Sequence, residues 1–312
     1  MPIELPTAEN PVAVVEGDCL DVLRGLPDGC VDAVVADPPY NQRIAEWDDI
    51  PDYADWCRRW VAEASRVLSP SGAFWCFHGD PVVLGEISRD IEAGGRKRVS
   101  FITLDKSRWT LAKRYRNSGS KSFVGCAEYA VYHRRDVFAE EVRDARRRHG
   151  LKRSEFDAMV APSRKPTGLC YRWEHGERVP QPAEVERIRE RFGVRLTLPY
   201  FKNRAKRSCV WRFPVPEQVG HPTAKPLPVV RRIVRATVPP DGTILDPFGG
   251  SGTTALAAVA EWRRCVMVER DPTYCGIARQ RTADALGRPL VGADGSVTRP
   301  ARPSLFGSVE SA

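Results

Sequence analysis

Two hydrophobic periods alternate along the chain. Short, nearly continuous apolar runs at residues 12–15 and 31–36 are closed by Gly17-Asp18 and by Pro38-Pro39. Such runs predict buried strands of a parallel sheet. Between them, Leu20, Leu23 and Leu26 repeat at helical spacing. Residues 52–68 predict an amphipathic helix with Trp56, Trp60, Val61, Ala64, Val67 and Leu68 on one side, stopped by Ser69-Pro70-Ser71-Gly72. Residues 73–77, 99–104 and 128–132 are further strand candidates. The alternation resumes with a helix at 226–238, a strand at 243–245, a helix at 253–262, a strand at 265–268 and a helix at 272–286. Strands alternating with helices predict an α/β fold with its sheet covered on both faces.

The centre breaks this rhythm. Residues 140–193 contain no strand-like run and predict short helices near 140–149, 154–160, 167–175 and 182–192. We divide the chain accordingly into a discontinuous α/β domain, 1–135 and 205–288, a helical insertion, 136–204, and a Gly/Pro/Ser-rich tail, 289–312. No internal repeat is visible. No stretch of apolar residues is long enough to span a membrane, and the first ten residues lack a secretory pattern, so a cytoplasmic protein is expected. Nine cysteines without a C-x-x-C pair argue against a disulfide framework and a structural zinc site. The net charge of +8 is unevenly spread: residues 96–212 hold 30 Lys and Arg against 13 Asp and Glu. A segment this basic suits a polyanion such as nucleic acid, or is simply a solvated arginine-rich surface.

Two motifs carry candidate chemistry. Asp37-Pro38-Pro39-Tyr40 ends an apolar strand. Neither proline has an N–H to give a ladder, so the chain must leave the sheet there. A carboxylate, a fixed carbonyl and an aromatic ring then meet at a strand's C-terminal edge, where open α/β sheets bind ligands. A bare D-P-P-Y also describes an ordinary strand-to-loop turn. The second motif is Asp246-Pro247-Phe248-Gly249-Gly250-Ser251-Gly252-Thr253-Thr254, between a strand and a helix. Its glycines admit close backbone approach to a ligand, and no lysine follows them as in a phosphate loop. Glu269, at the end of the next strand, is placed as the acidic partner of ribose hydroxyls, or as a surface acid.

Together these motifs resemble the DNA amino-methyltransferases, which move a methyl group from S-adenosylmethionine to an exocyclic base nitrogen. The tetrapeptide-first order is similar to that family's circularly permuted beta group. Gly17-Asp18-Cys19-Leu20 resembles its adenine-contacting turn, and His221-Pro222-Thr223-Ala224-Lys225-Pro226 its H-P-T-x-K-P segment. The resemblance spans about residues 12–135 and 208–287. It implies a Rossmann-like methyltransferase sheet. In the catalytic tetrapeptide, the Asp37 carboxylate and Pro38 carbonyl take the amine's hydrogens, Pro39 fixes the turn, and Tyr40 stacks on a flipped base. For the cofactor it implies Phe248 beside the adenine, Gly249, Gly250 and Gly252 admitting the methionine portion, and Glu269 on the ribose. Asp18, with Cys19, faces the adenine amine; Lys225, Ser251 and Thr253 are placed near the methionine carboxylate, and Asp246 near its amine or shaping the turn. No metal is needed. Aspartate at the first tetrapeptide position is more typical of adenine-N6 enzymes, leaving cytosine N4 as the alternative and a silent DNA-binding regulator as a third.

The basic middle sits where this family reads its target. Residues 142–194 resemble a helix-turn-helix of the phage-repressor type, carried by Arg146-Arg147-Arg148-His149-Gly150-Leu151 and Tyr171-Arg172-Trp173-Glu174-His175-Gly176. The segment 161–166 is longer than the usual turn. Arg164, Lys165, Thr167 and Arg172 are expected near DNA. The bland alternative is a helical bundle that only packs. Lys106, Arg108, Lys113, Arg114, Arg116 and Lys121 flank or lie in a polar stretch suited to DNA phosphates. Duplex DNA is the expected partner, with a restriction endonuclease as a companion and a monomer or homodimer as the state.

Overall fold

The computed structural model describes residues 3–43, 46–106, 127–162, 168–178, 180–194, 196–198, 200, 208–213, 224–287, 290–291 and 297–298. The principal strands are β1 (Val12–Glu16), β2 (Val31–Ala36), β3 (Leu68–His78), β4 (Lys97–Asp105), β5 (Ala127–Arg134), β6 (Val210–Arg212), β7 (Thr243–Asp246) and β8 (Arg264–Glu269). The helices are α1 (Cys19–Arg24), α2 (Tyr53–Val67), α3 (Pro81–Ala93), α4 (Val137–Arg148), α5 (Arg153–Val160), α6 (Leu169–Glu174), α7 (Pro182–Phe192), α8 (Leu227–Thr237), α9 (Thr253–Ala260) and α10 (Pro272–Leu286).

The chain separates into two compact units, Met1–His133 with Phe201–Ala312, and Arg134–Tyr200. The first holds one sheet in the order β1-β8-β7-β2-β3-β5-β4-β6. Pairings β1·β8, β8·β7, β7·β2, β2·β3 and β4·β6 are parallel. From the β7·β2 pair the chain winds outward in both directions, so a switch point lies between these strands. Their register, Ala33 opposite Ile244 and Val34 opposite Leu245, brings the residues after Ala36 beside those after Asp246. Two segments distant in sequence thereby share one edge. Each sheet face is covered. Trp60, Phe74, Leu84, Ile87 and Ile91 pack on one side, and Trp75, Ile233, Val234, Ala257 and Ala278 on the other.

Three elements depart from the sequence reading. Ser69-Pro70-Ser71-Gly72 does not separate α2 from a strand: β3 begins at Leu68 and runs through these residues. The register jumps from Val31–Leu68 to Ala33–Ala73, so the extra residues form a bulge in which Pro70 need not donate to a ladder. Helix α3 was not anticipated, although Asp80 caps it through Val82 N (2.7 Å), Pro81 opens it and Leu84, Ile87 and Ile91 share its buried face. The edge strand β6 is three residues long and exists through its pairing with β4.

The second unit contains α4–α7 around Phe138, Val142, Phe156, Leu169, Trp173, Ile188 and Phe192. Asp157 accepts from Leu169 N (3.1 Å) and Cys170 N (2.6 Å), which fixes the start of α6. The Glu174 carboxylate, buried, is held by Arg146 (2.6 Å) and Arg153 (2.7 Å). No described helix is long and apolar enough to cross a membrane.

Candidate active site

At the end of β2 the two prolines turn the chain out, and the loop that follows is clamped. Asn41 and Arg43 hold left-handed φ of 55° and 56°. The Asp48 carboxylate, buried, accepts from Asn41 N and Gln42 N, both at 2.8 Å, and Asn41 Oδ1 accepts from Ile50 N at 2.8 Å. A second chain of donors ends on the tetrapeptide itself. Asp80 N donates to His78 Nδ1 (2.9 Å), which puts the ring proton on Nε2, 3.4 Å from Tyr53 Oη. The Tyr53 hydroxyl then donates to the Pro39 carbonyl at 2.5 Å. Burial lowers the His78 pKa and keeps the ring neutral, as this chain requires. The Tyr40 ring lies 4.4 Å from the His78 ring, and its hydroxyl donates to Asp37 Oδ1 at 2.9 Å. Burial, then the neighbouring Asp37 charge, pushes the Tyr40 hydroxyl pKa well up, so it stays a donor.

Lys225 enters from the residue run leading into α8. The sequence reading placed it at the cofactor's carboxylate; the structure brings its ammonium to the tetrapeptide. Nζ lies 2.6 Å from Asp37 Oδ2, 3.1 Å from Tyr40 Oη and 3.6 Å from Glu128 Oε2. Burial alone would discharge this lysine, but the Asp37 and Glu128 carboxylates more than offset it and raise its pKa. Burial likewise opposes the Glu128 charge, and Lys225 with Lys106 outweighs it, so its pKa falls. Lys106, expected on a DNA phosphate, is therefore engaged by Glu128.

The glycine motif lies opposite. Gly249 and Gly252 are required by space: a Cβ on the first would meet Met267 Cε at 2.3 Å, and on the second Ala278 Cβ at 2.9 Å with φ at +83°. Phe248 packs its ring against Trp56 (5.5 Å) and Trp60 (5.1 Å). Glu269 is oriented by two backbone donors, Gly250 N on Oε2 and Asp271 N on Oε1, each at 2.8 Å. Each oxygen keeps a lone pair for a hydroxyl. Asp18 caps α1 through Leu20 N (2.8 Å), and Oδ2 has no partner among the described residues. Asp246 accepts from Phe248 N (3.0 Å), and burial raises its carboxyl pKa to about 7.

These residues face one cleft of about 670 Å³, lined by Asp18, Cys19, Asp37–Tyr40, Lys225, Phe248–Ser251, Thr253 and Glu269 among others. Gly252 is at the N-terminus of α9 just beyond them. The volume is in the range of small-molecule sites. The polar set fits an adenosyl amino acid: a carboxylate oxygen at Asp18 for an adenine amine, lone pairs at Glu269 for ribose, aromatic surface at Phe248, and side-chain-free backbone at Gly249, Gly250 and Gly252. Among the described residues no group of His, Cys, Asp and Glu could hold a metal ion. Four further residues, Asp48, Tyr53, His78 and Glu128, belong to the site and escaped the sequence reading. Arg172 is on α6 in the helical unit and is exposed. Arg108, Lys113, Arg114, Arg116, Lys121, Arg164, Lys165, Thr167 and the residues 221–223 lie outside the described residues.

Comparison with known proteins agrees with this geometry. The N6/N4 methyltransferase family model, described as DNA methylase, matches residues 31–280. The type II methyltransferase M.ScaI of Streptomyces caespitosus is 29% identical over 270 residues, 86% of this chain and 80% of its own length. Among solved structures, M1.HpyAVI in complex with SAM superposes with a TM-score of 0.54 at 18% identity, over 86% of this chain and 98% of that one. PvuII DNA methyltransferase, cytosine-N4-specific, superposes at 0.53 and 16% identity, over 90% and 88%. With its matched family model covering both motifs and strands β2–β8, the chain belongs to the S-adenosylmethionine-dependent DNA methyltransferases of the N6/N4 class.

Proposed function

We propose that this chain is a site-specific DNA methyltransferase acting on adenine N6 of a flipped-out base. The observation that carries the reading is the juxtaposition, across the β7·β2 pair, of Asp37-Pro38-Pro39-Tyr40 with a glycine-walled cleft ending at Glu269. Bound in that cleft, S-adenosylmethionine supplies an electrophilic methyl on a sulfonium sulfur. Glu269 and Asp18 would hold its ribose and adenine, with Cys19 against the same turn. Ser251 and Thr253 would face its carboxylate, and Asp246 its amine.

The remaining work falls to the tetrapeptide. An exocyclic amine is a poor nucleophile because its lone pair is delocalised into the ring. Hydrogen bonds from its two N–H groups to Asp37 and the Pro38 carbonyl favour a pyramidal nitrogen. The Asp37 charge also stabilises the positive charge arriving there as sulfur loses it. The clamp by Asp48 and Tyr53 supports this by fixing the two acceptors in place before a base arrives. Tyr40, seated on His78, offers a face for the base.

The fold likeness to PvuII DNA methyltransferase supports a second reading, cytosine N4, with the same acceptor pair. Aspartate at the first tetrapeptide position favours adenine. The helical unit is read as the part that selects the sequence, with α6 toward the major groove. The likeness to a type II methyltransferase supports a modification enzyme paired with a restriction endonuclease. Nucleoside mass spectrometry of diverse unmodified duplex DNA, after incubation with protein and S-adenosylmethionine, tests the reading. N6-methyladenine is expected; N4-methylcytosine moves the assignment to the second reading; no modified base overturns both. Asp37→Ala should lower methylation by about 10²–10³-fold or more while leaving duplex binding intact.

A further inference from the structure

Both oxygens of Asp37 are occupied by the protein's own donors. Tyr40 Oη takes Oδ1 at 2.9 Å, and Lys225 Nζ takes Oδ2 at 2.6 Å. Each oxygen keeps a lone pair, but an exocyclic amine using this carboxylate would share it with a seated ammonium. The ammonium has somewhere else to go. Glu128 Oε2 is buried, already pairs with the same ammonium at 3.6 Å, and takes no shorter hydrogen bond among the described residues. Glu128 Oε1 is already engaged by Lys106. A lysine head swings over such a distance by rotation about its own side-chain bonds, with no movement of the chain.

Charge requires the exchange. Asp37, Glu128, Lys225 and Lys106 sum to zero. An ammonium left on Asp37 would face the positive charge that develops on the attacked nitrogen. It would cancel the stabilisation for which the carboxylate is placed there. An ammonium removed to solvent would strand two buried carboxylates. Moving it to Glu128 avoids both.

We propose that Lys225 is a built-in stand-in for the target amine, seated on Asp37 in the resting enzyme and handed to Glu128 when the base enters. This makes Lys225 and Glu128 positioning residues that act through Asp37. The inference rests on the methyltransferase reading of the site, and it competes with the assignment of Lys225 to the cofactor's carboxylate.

Lys225→Met and Glu128→Gln, with the wild type, separate these ideas by two readouts: calorimetric titration with S-adenosylmethionine, and kcat against KM for methyl transfer to diverse unmodified DNA. We expect both variants to bind the cofactor within about threefold of the wild type, since neither side chain need touch it. In Lys225→Met kcat falls less than in Glu128→Gln, because no ammonium remains to be moved off Asp37. Glu128→Gln slows turnover about tenfold at saturating cofactor, because the second seat has lost its charge. A tenfold or greater loss of cofactor affinity in Lys225→Met overturns the proposal in favour of a carboxylate contact. So does a kcat in Glu128→Gln that stays at the wild-type value. A wild type that transfers no methyl group to any DNA defeats the methyltransferase reading instead. In that event the titration still decides Lys225: affinity kept within threefold upholds its assignment to Asp37, and a tenfold loss removes it.

Discussion

The two units of this protein spend their charge differently. In residues 134–200, 16 Lys and Arg stand with 11 Asp and Glu. Many of these pairs are internal: Arg146 and Arg153 on Glu174, Arg178 on Glu184, Arg135 on Glu140. In residues 96–133 and 201–212, which belong to the sheet-bearing unit, 14 Lys and Arg stand with only Asp105 and Glu128. The basic excess of the chain's middle is thus greatest outside the helical unit. Part of what looks like a polyanion-binding signature in the helices is internal pairing, as of Arg146 and Arg153 with Glu174. Under the proposed function, the difference predicts separate tasks: non-specific attraction to the sheet unit's own segments, and selection to exposed helical residues such as Arg172.

Replacing Lys113, Arg114 and Arg116 together with glutamine should have the largest effect. If each meets a phosphate, DNA affinity drops about 10²–10³-fold at physiological salt and the log–log salt slope shrinks by roughly three. Sequence preference should be unchanged, and a salt-series binding assay reads both. An altered preference with an unchanged slope would break the division of tasks.

Next in size is Asp246→Asn. The folded carboxyl keeps its proton up to about pH 7, whereas an unfolded aspartate loses it near 3.8. The folded state therefore binds more protons across that window, and stability falls as pH rises through it. Denaturant melts should show the asparagine variant about 2–3 kcal/mol more stable than the wild type at pH 8 and nearly equal to it at pH 4. The variant should bind S-adenosylmethionine more weakly, because the amine loses its counter-charge.

Arg172→Ala sharpens the comparison from the other side. It should relax discrimination at one base position by about 1–3 kcal/mol, with little change in salt slope. Tyr53→Phe should be the smallest: losing the donor on the Pro39 carbonyl costs about 1 kcal/mol of transition-state stabilisation, read as a roughly fivefold lower kcat with unchanged cofactor KM.

The parts legible in the sequence were contiguous. Asp37–Tyr40 and Asp246–Thr254 each carry ligand, turn and strand end in one run, punctuated by proline or glycine that no ordinary strand tolerates. The residues that support them were not legible, because nothing local marks them. Glu128 is one position within a strand, Asp48 one acid among several, and Tyr53 reaches Pro39, with His78 behind it, only because α2 and β3 pack side by side. Helix α3 carries its signals at Asp80-Pro81 and Gly94-Gly95, short polar and glycine punctuation that does not by itself separate a helix from a loop. The bulge in β3 shows the opposite failure, with local stop signals overridden by pairing to β2.

The loop that leaves β2 has a thermal consequence. Its left-handed residues, each costing roughly 1–3 kcal/mol for a non-glycine, are held by Asp48, whose carboxylate accepts from Asn41 N and whose carbonyl accepts from Arg43 N, and that cost is met once, when the chain folds. No ordering entropy of the loop is then charged to each catalytic cycle. Turnover should keep a nearly constant activation entropy until the clamp itself melts, and Asp48 is the place where that ceiling is set.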